Sequence, residues 1–139
     1  MRVWIFAALV LAGVGASACN GPVDPSENST ETFTGTFAPK DARVHTFNVG
    51  KQGEYFVSFK SLTPPLAQST FPTGIRVTKV VSGQCVFGTQ IVGDNQNASP
   101  GHQALNGLIE PGQFCLWIYD VPPGFFTTDE SYVVDVSHP

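Results

Sequence analysis

Residues 54–60 read EYFVSFK, and apolar and polar side chains alternate along most of this stretch. The apolar residues on one face are Tyr55, Val57 and Phe59. A period of two is typical of a β-strand that buries one face in a core and leaves the other in water. The stretch therefore predicts a half-buried strand of the kind found in antiparallel sheets.

The same alternation recurs in residues 31–37, 43–49, 75–81 and 131–137. A further segment, Phe114–Tyr119 (FCLWIY), is apolar on both faces, which is typical of a central strand or of one covered on its outer side. No helical stretch of useful length and no internal repeat is found. Seven or eight such strands favour an all-β fold, an antiparallel two-sheet β-sandwich that buries one face of each sheet.

Segments rich in glycine and proline separate the predicted strands. Tight turns are predicted at Gly50–Gly53 and at Glu110–Gly112. Longer loops are predicted at Thr63–Gly74, Gly93–His102 and Val121–Asp129, where turn-forming residues are frequent.

The N-terminal segment has the features of a bacterial export signal. Arg2 supplies a positive charge, the run from Val3 to Val14 is apolar, and small residues precede Cys19. This run is too short to span a bilayer comfortably, which favours a cleaved signal over a transmembrane helix. We predict a signal peptide over residues 1–18.

A cysteine directly after small residues resembles the lipobox of bacterial lipoproteins. The segment departs from that pattern at Ala16, where leucine is preferred. The resemblance implies that the Cys19 thiol carries a diacylglycerol and that several acyl chains anchor the protein in a membrane. Asn20, by resemblance to the sorting rule of enterobacteria, favours the outer membrane if the cell has two. The alternative is a secreted protein in which Cys19 stands by chance.

Lipidation of Cys19 leaves Cys85 and Cys115 as a pair among the three cysteines of the chain. In an oxidising compartment a disulfide is the expected state of such a pair. The two cysteines are widely separated and no CxxC motif occurs, so the pattern favours a disulfide over a zinc or redox site.

The polar segment 19–30 contains two prolines and no periodicity, so we predict a flexible tether there and a β-sandwich domain over 31–139. The chain carries 7 basic and 11 acidic residues, a net charge of −4, with no basic stripe. Nucleic acid is therefore not an expected partner.

Several of these segments together resemble the bacterial pre-peptidase C-terminal domain. The matching stretches are FTGTF (33–37), VHTFNV (44–49), GEYFV (53–57), EPGQFCLWIYD (110–120) and SYVVDV (131–136). The resemblance covers residues 31–137 and implies a jelly-roll-like β-sandwich, similar to the collagen-binding modules of bacterial collagenases. The sequence holds no peptidase domain, so a role beside a peptidase is not carried over, and the fold alone specifies no ligand.

No catalytic motif of the GxSxG, SxxK or HExxH type occurs, so we predict that the protein is not an enzyme. His45, His102 and His138 are spread along the chain and are interpreted as structural or solvated residues rather than metal ligands. We predict no metal or other cofactor, with calcium as the alternative. The carboxylates that such an ion would use are Asp24, Glu27 and Glu31, or Asp120, Asp129 and Glu130.

Aromatic residues in two proline-flanked loops are the candidate ligand-binding residues: Phe125 and Phe126 in one loop and Phe71 in another. The alternative is that they fold back and plug the open end of the core.

The predicted function is a non-catalytic, lipid-anchored module of the cell envelope that binds a protein or a polysaccharide. The alternative is a structural envelope lipoprotein without a discrete ligand, and an enzyme of unrecognised type is a third, weaker reading.

We expect the mature protein to begin at an acylated Cys19 and to fractionate with membranes. Growth with a clickable fatty-acid analogue should label the wild-type protein, and Cys19→Ala should abolish the label because it removes the acceptor thiol. Label retained in Cys19→Ala would contradict this prediction.

Overall fold

The computed structural model describes residues 21–65, 73–122 and 124–139. Cys19 and Phe71 lie outside these ranges, as does the predicted signal peptide. The described part of the chain contains a short 3₁₀ helix, Pro25–Glu27, followed by eight strands. They are β1 (Ser29–Phe37), β2 (Ala42–Val49), β3 (Gly53–Thr63), β4 (Thr73–Lys79), β5 (Ile91–Ala98), β6 (His102–Ile109), β7 (Gly112–Asp120) and β8 (Glu130–His138).

The strands form two antiparallel sheets of four. The first sheet has the order β1-β8-β3-β6 and the second the order β2-β7-β4-β5. The chain crosses between the sheets at nearly every connection, so the two sheets share one core. The predicted all-β, two-sheet antiparallel sandwich of seven or eight strands is confirmed. Among the described residues, no helix is long and apolar enough to cross a membrane.

The core lies between the inner faces of the two sheets. In β3, Tyr55, Val57 and Phe59 are each at most 1% exposed, as their alternation predicted. Removing such side chains from water is the main source of folding free energy. Their large neighbours, all fully or almost fully buried, are Phe37, Phe47, Ile75, Val77, Leu116, Ile118, Val134 and Val136.

The prediction of a loop over residues 93–102 was wrong, because most of β5 lies there. The strand was missed because its inward positions carry Gly93 and Asn95 instead of large apolar residues. Glycine is required at position 93, since an added Cβ would lie 2.5 Å from the Tyr55 hydroxyl. The Asn95 amide donates to the carbonyl of Ala104 in β6, which links the edge strands of the two sheets.

Part of the predicted tether is built into the domain. Val23 forms a parallel bridge with Gly53, and its N–H donates to the Gln52 carbonyl at 2.7 Å. The Asn28 amide donates to the Glu54 carbonyl at 2.8 Å, and β1 begins directly after it. The chain is therefore held against the sandwich from Val23 onward, and the ordered domain begins before residue 31.

The segment Phe114–Tyr119, which is apolar on both faces, was predicted to be a central strand or one covered on its outer side. In the structure it is both central and covered. β7 lies between β2 and β4, and its inward side chains Phe114, Leu116 and Ile118 belong to the core. On its outer face, Cys115 forms a disulfide with Cys85 from the β4–β5 connection. The predicted disulfide is present in the structure and ties that connection over the outer face of the second sheet.

The β7–β8 connection is organised by the buried carboxylate of Asp120. This carboxylate accepts the backbone N–H groups of Phe125 at 2.8 Å, Phe126 at 3.3 Å and Lys40 at 2.9 Å. The two phenylalanines then diverge: Phe126 is 7% exposed and packs edge-on against Phe37, whereas Phe125 is 39% exposed.

Loss of the disulfide should lower the free energy of unfolding by about 3–4 kcal/mol, the chain-entropy value for a closed loop of this size. Urea unfolding of wild type and of Cys85→Ser with Cys115→Ser measures the difference. Peptide mapping without reductant should also recover residues 85 and 115 in one linked pair. Equal stability of the two proteins, or free thiols at both positions after isolation from an oxidising compartment, would refute the assignment.

Phe126→Ala should cost about 3–5 kcal/mol of stability, because it empties a packed position in the core. The matched control, Phe125→Ala, should cost much less because that side chain is already partly exposed. Urea unfolding of both variants gives the comparison, and equal costs would show that Phe126 is not a core residue.

Candidate binding site

The predicted ligand-binding phenylalanines do not form one surface. Phe126 lies in the core, which is the plug that the sequence left as the alternative, and Phe125 is partly exposed at the end of the sandwich. Phe71 lies outside the described residues. A binding role for these residues remains a prediction.

A different cluster of aromatic side chains lies on the outer face of the second sheet. We call it the aromatic face, and it consists of Arg76 of β4, Phe87 of the β4–β5 connection, and Trp117 and Tyr119 of β7. The Phe87 ring stands edge-on to both β7 rings, with centroid distances of 5.3 Å to Trp117 and 4.9 Å to Tyr119. Edge-to-face packing of this kind is favourable beyond the area it buries.

Arg76 holds the aromatic face together. Its guanidinium carbon lies 4.2 Å from the Phe87 ring centroid and 5.5 Å from that of Tyr119, in cation–π geometry. Nε and Nη2 donate to the two carboxylate oxygens of Asp94 at 3.0 and 2.9 Å, and Nη1 donates to the Phe87 carbonyl at 2.9 Å. Arg76 therefore fixes both the ring and the backbone of Phe87.

Asp94 of β5 is the charge partner of this arrangement. Its Oδ1 also accepts the Tyr119 hydroxyl at 2.8 Å, and its Oδ2 accepts the Gln96 amide at 3.3 Å. Burial alone would raise the pKa of Asp94, but the hydrogen bonds from Arg76, Tyr119 and Gln96 outweigh it and lower that pKa. Burial and the hydrogen bond to Asp94 raise the pKa of Tyr119 to about 12.

Local sequence explains how the rings reach these positions. Gly74 pairs with Tyr119 across the β4–β7 ladder, and a Cβ there would lie 2.1 Å from the Tyr119 ring, so only glycine lets the ring lie across β4. The Trp117 indole N–H donates to the Thr78 hydroxyl at 3.0 Å. The disulfide fixes Cys85, two residues before Phe87, on the same face.

An open groove of about 300 Å³ lies beside the aromatic face. Phe87 at its border is 36% exposed, and the nearby Val86 and Val44 on this side of the sandwich are 40% and 43% exposed. The groove is lined by Lys40, Asp41, Ala42, Phe87, Trp117, Tyr119, Asp120 and Pro122. The loop in which the sequence placed its candidate residues therefore borders the groove, through Pro122 rather than through its phenylalanines.

The sequence indicated this site only in part. The apolar outer positions of β7 predicted a cover on that face, but nothing in the pattern identified Phe87 as that cover. Alternation assigns Arg76 to solvent and Asp94 lies in a predicted loop, and their pairing depends on the β4–β5 register, in which they face each other. That register could not be predicted once β5 was read as a loop.

Several of the histidines and calcium candidates, including His45, the His138–Glu31 pair and Asp120, form local structural contacts. His45 and the Tyr132 hydroxyl share a hydrogen bond of 2.6 Å, and burial lowers the pKa of His45. Asp120 is occupied by backbone N–H groups, and burial raises the pKa of Glu130. Within the described ranges, no group of three or more histidine, cysteine, aspartate or glutamate side chains is placed to hold a metal ion.

No protein-family model matches the sequence, and no curated protein matches it either. Several solved structures share its fold, among them the following two. One is the pre-peptidase C-terminal domain of a collagenase from Bacillus anthracis, with a TM-score of 0.52 and 18% identity over 77% of this chain and 88% of that chain. The other is a periplasmic inhibitor of g-type lysozyme from Aeromonas hydrophila, with a TM-score of 0.52 and 15% identity over 84% of this chain and 92% of that chain. The chain thus has a β-sandwich like that of pre-peptidase C-terminal domains, as the sequence resemblance implied.

Proposed function

We propose that this protein is a non-catalytic, lipid-anchored module of the cell envelope that binds a protein partner through the aromatic face and its groove. The observation that carries the proposal is a pair of accessible aromatic rings, the exposed Phe87 and the half-buried Trp117, held rigid over the buried Tyr119 and Arg76 beside an open groove. Large aromatic side chains, tryptophan above all, are enriched at the energetic centres of protein interfaces. We also propose that acyl chains on Cys19 anchor the module to a membrane.

Rigidity is what suits this surface to binding. The disulfide and Arg76 fix the segment around Phe87 before any partner arrives. A preformed surface loses little conformational entropy on association, so more of its contact energy is expressed as affinity. A cover needed only for stability would not require the Phe87 ring to remain one-third exposed.

The chemistry of the face favours a protein over a polysaccharide. All three guanidinium nitrogens of Arg76, both carboxylate oxygens of Asp94 and the Trp117 indole N–H already have partners within the domain. Few polar groups therefore remain on the face to bind the hydroxyls of a sugar, whereas its ring edges suit the apolar side chains of a protein. The likeness to a periplasmic lysozyme inhibitor supports an envelope protein as the partner class.

We expect a photo-crosslinking amino acid at position 87 to trap a discrete envelope protein in cells. The matched control places the same amino acid at Thr34, an exposed position on the outer face of the first sheet. Position 87 should give an adduct that position 34 does not give, because only the aromatic face meets the partner.

Calorimetry with the trapped protein, once identified and purified, should show that Phe87→Ala weakens binding about tenfold or more, which is ~1.4 kcal/mol. Thermal unfolding should confirm that the variant is folded. Equal adducts at both positions, or unchanged affinity in a folded Phe87→Ala variant, would favour the alternative of a structural envelope lipoprotein without a discrete ligand.

A further inference from the structure

We propose that the end of the sandwich where the N-terminal segment joins it rests on the membrane surface, with Ile91, Val92 and Leu108 in contact with lipid. The inference rests on the proposed anchor at Cys19. It adds a second surface, distinct from the aromatic face, whose partner is the bilayer itself.

The length of chain between the anchor and the domain restricts where the membrane can be. The ordered domain begins at Val23, which is bonded to Gln52 and bridged to Gly53. Four residue steps separate Cys19 from Val23, and an extended chain spans at most about 3.3–3.6 Å per residue, or roughly 14 Å in all. The lipid head groups therefore lie close to this end of the sandwich.

The same end carries the two most exposed large apolar side chains of the described part of the chain, Leu108 and Ile91, together with Val92. Leu108 is 64% exposed, Ile91 is 50% exposed and Val92 is 37% exposed. Ile91 and Val92 begin β5, and Leu108 lies near the end of β6, so they share a corner formed by the edge strands of the two sheets. We call these three residues the apolar corner.

The apolar corner is a direct neighbour of the N-terminal segment. Val92 and Leu108 line a groove of about 360 Å³. Gly21–Asp24 line a larger cavity of about 760 Å³. Gln52 lines both. Lipid held near residue 21 is thus within reach of the corner, and aliphatic side chains there gain free energy by leaving water for the acyl boundary.

The charges at this end indicate the kind of lipid surface. Lys79 and Lys51 have long aliphatic stems that can lie along a membrane while their ammonium groups stay in water. The acidic residues lining the same two cavities are Asp24, Glu27 and Glu110. Because acids outnumber bases here, the surface fits a zwitterionic bilayer and not a strongly anionic one.

A single tryptophan at the corner would report contact with lipid. Trp117 is the only tryptophan after the signal segment. In a Trp117→Phe background, the tryptophan fluorescence of the mature chain therefore comes from Leu108→Trp alone. The matched control is Phe125→Trp in the same background, at the opposite end of the sandwich. The chain from Cys19 onward keeps all eight strands, and its Cys19 thiol can be coupled to maleimide-bearing phosphatidylethanolamine in phosphatidylcholine vesicles, since Cys85 and Cys115 are bonded to each other.

The Leu108→Trp variant should show blue-shifted emission that falls when the vesicles contain phosphatidylcholine with brominated acyl chains. The Phe125→Trp variant should show the same emission in both kinds of vesicle. Adding Ile91→Asp to Leu108→Trp should reduce the quenching, because a carboxylate at the corner opposes contact with the acyl region. Circular dichroism confirms that each variant is folded.

The proposal would be overturned if the emission intensity of Leu108→Trp were the same in brominated and unbrominated vesicles, as expected for the Phe125→Trp control. Quenching that is lost while the coupled domains crosslink to one another through the corner would overturn it in favour of a second copy as the occupant. Chemical coupling supplies the lipid here, so this result is independent of whether Cys19 is acylated in cells.

Discussion

The structure depends on one constraint: β7 is apolar on both faces, and both faces must therefore be covered. The core covers the inner face through Phe114, Leu116 and Ile118. A central strand usually obtains its second cover from a further layer of the fold, but this chain uses the β4–β5 connection, residues 80–90, fixed by the Cys85–Cys115 disulfide. The cover is small, so it shields the outer face only in part and leaves the edge of Phe87 exposed.

That partial cover links stability to function. The Arg76–Asp94 pair lies with its side chains 11% and 22% exposed, where an unpaired charge would be costly. Each group therefore depends on the other, and both hold the rings in place. Asp120, which lines the groove beside these rings, directs Phe126 into the core. Fixed geometry is thus concentrated at the second sheet and beside its groove.

Much of the architecture could be predicted from alternation, because inward side chains of strands such as β3 and β8 are large and apolar. The edge strand β5 could not be, because its inward positions hold Gly93 and Asn95, whose fit depends on Tyr55 and on β6. The disulfide followed from counting cysteines once Cys19 was assigned to lipid. The aromatic face could not be predicted in this way, because Phe87 and Arg76 are brought together by the strand register and by the Cys85–Cys115 disulfide.

Amide hydrogen exchange of the domain with and without its trapped partner tests the account most directly, because it compares the aromatic face with the loop that the sequence favoured. Binding through the aromatic face predicts slower exchange in residues 85–89 and 115–119, with residues 121–129 changed little. Protection confined to 121–129, with residues 85–89 unaffected, would contradict the account and return the binding site to the loop around Phe125.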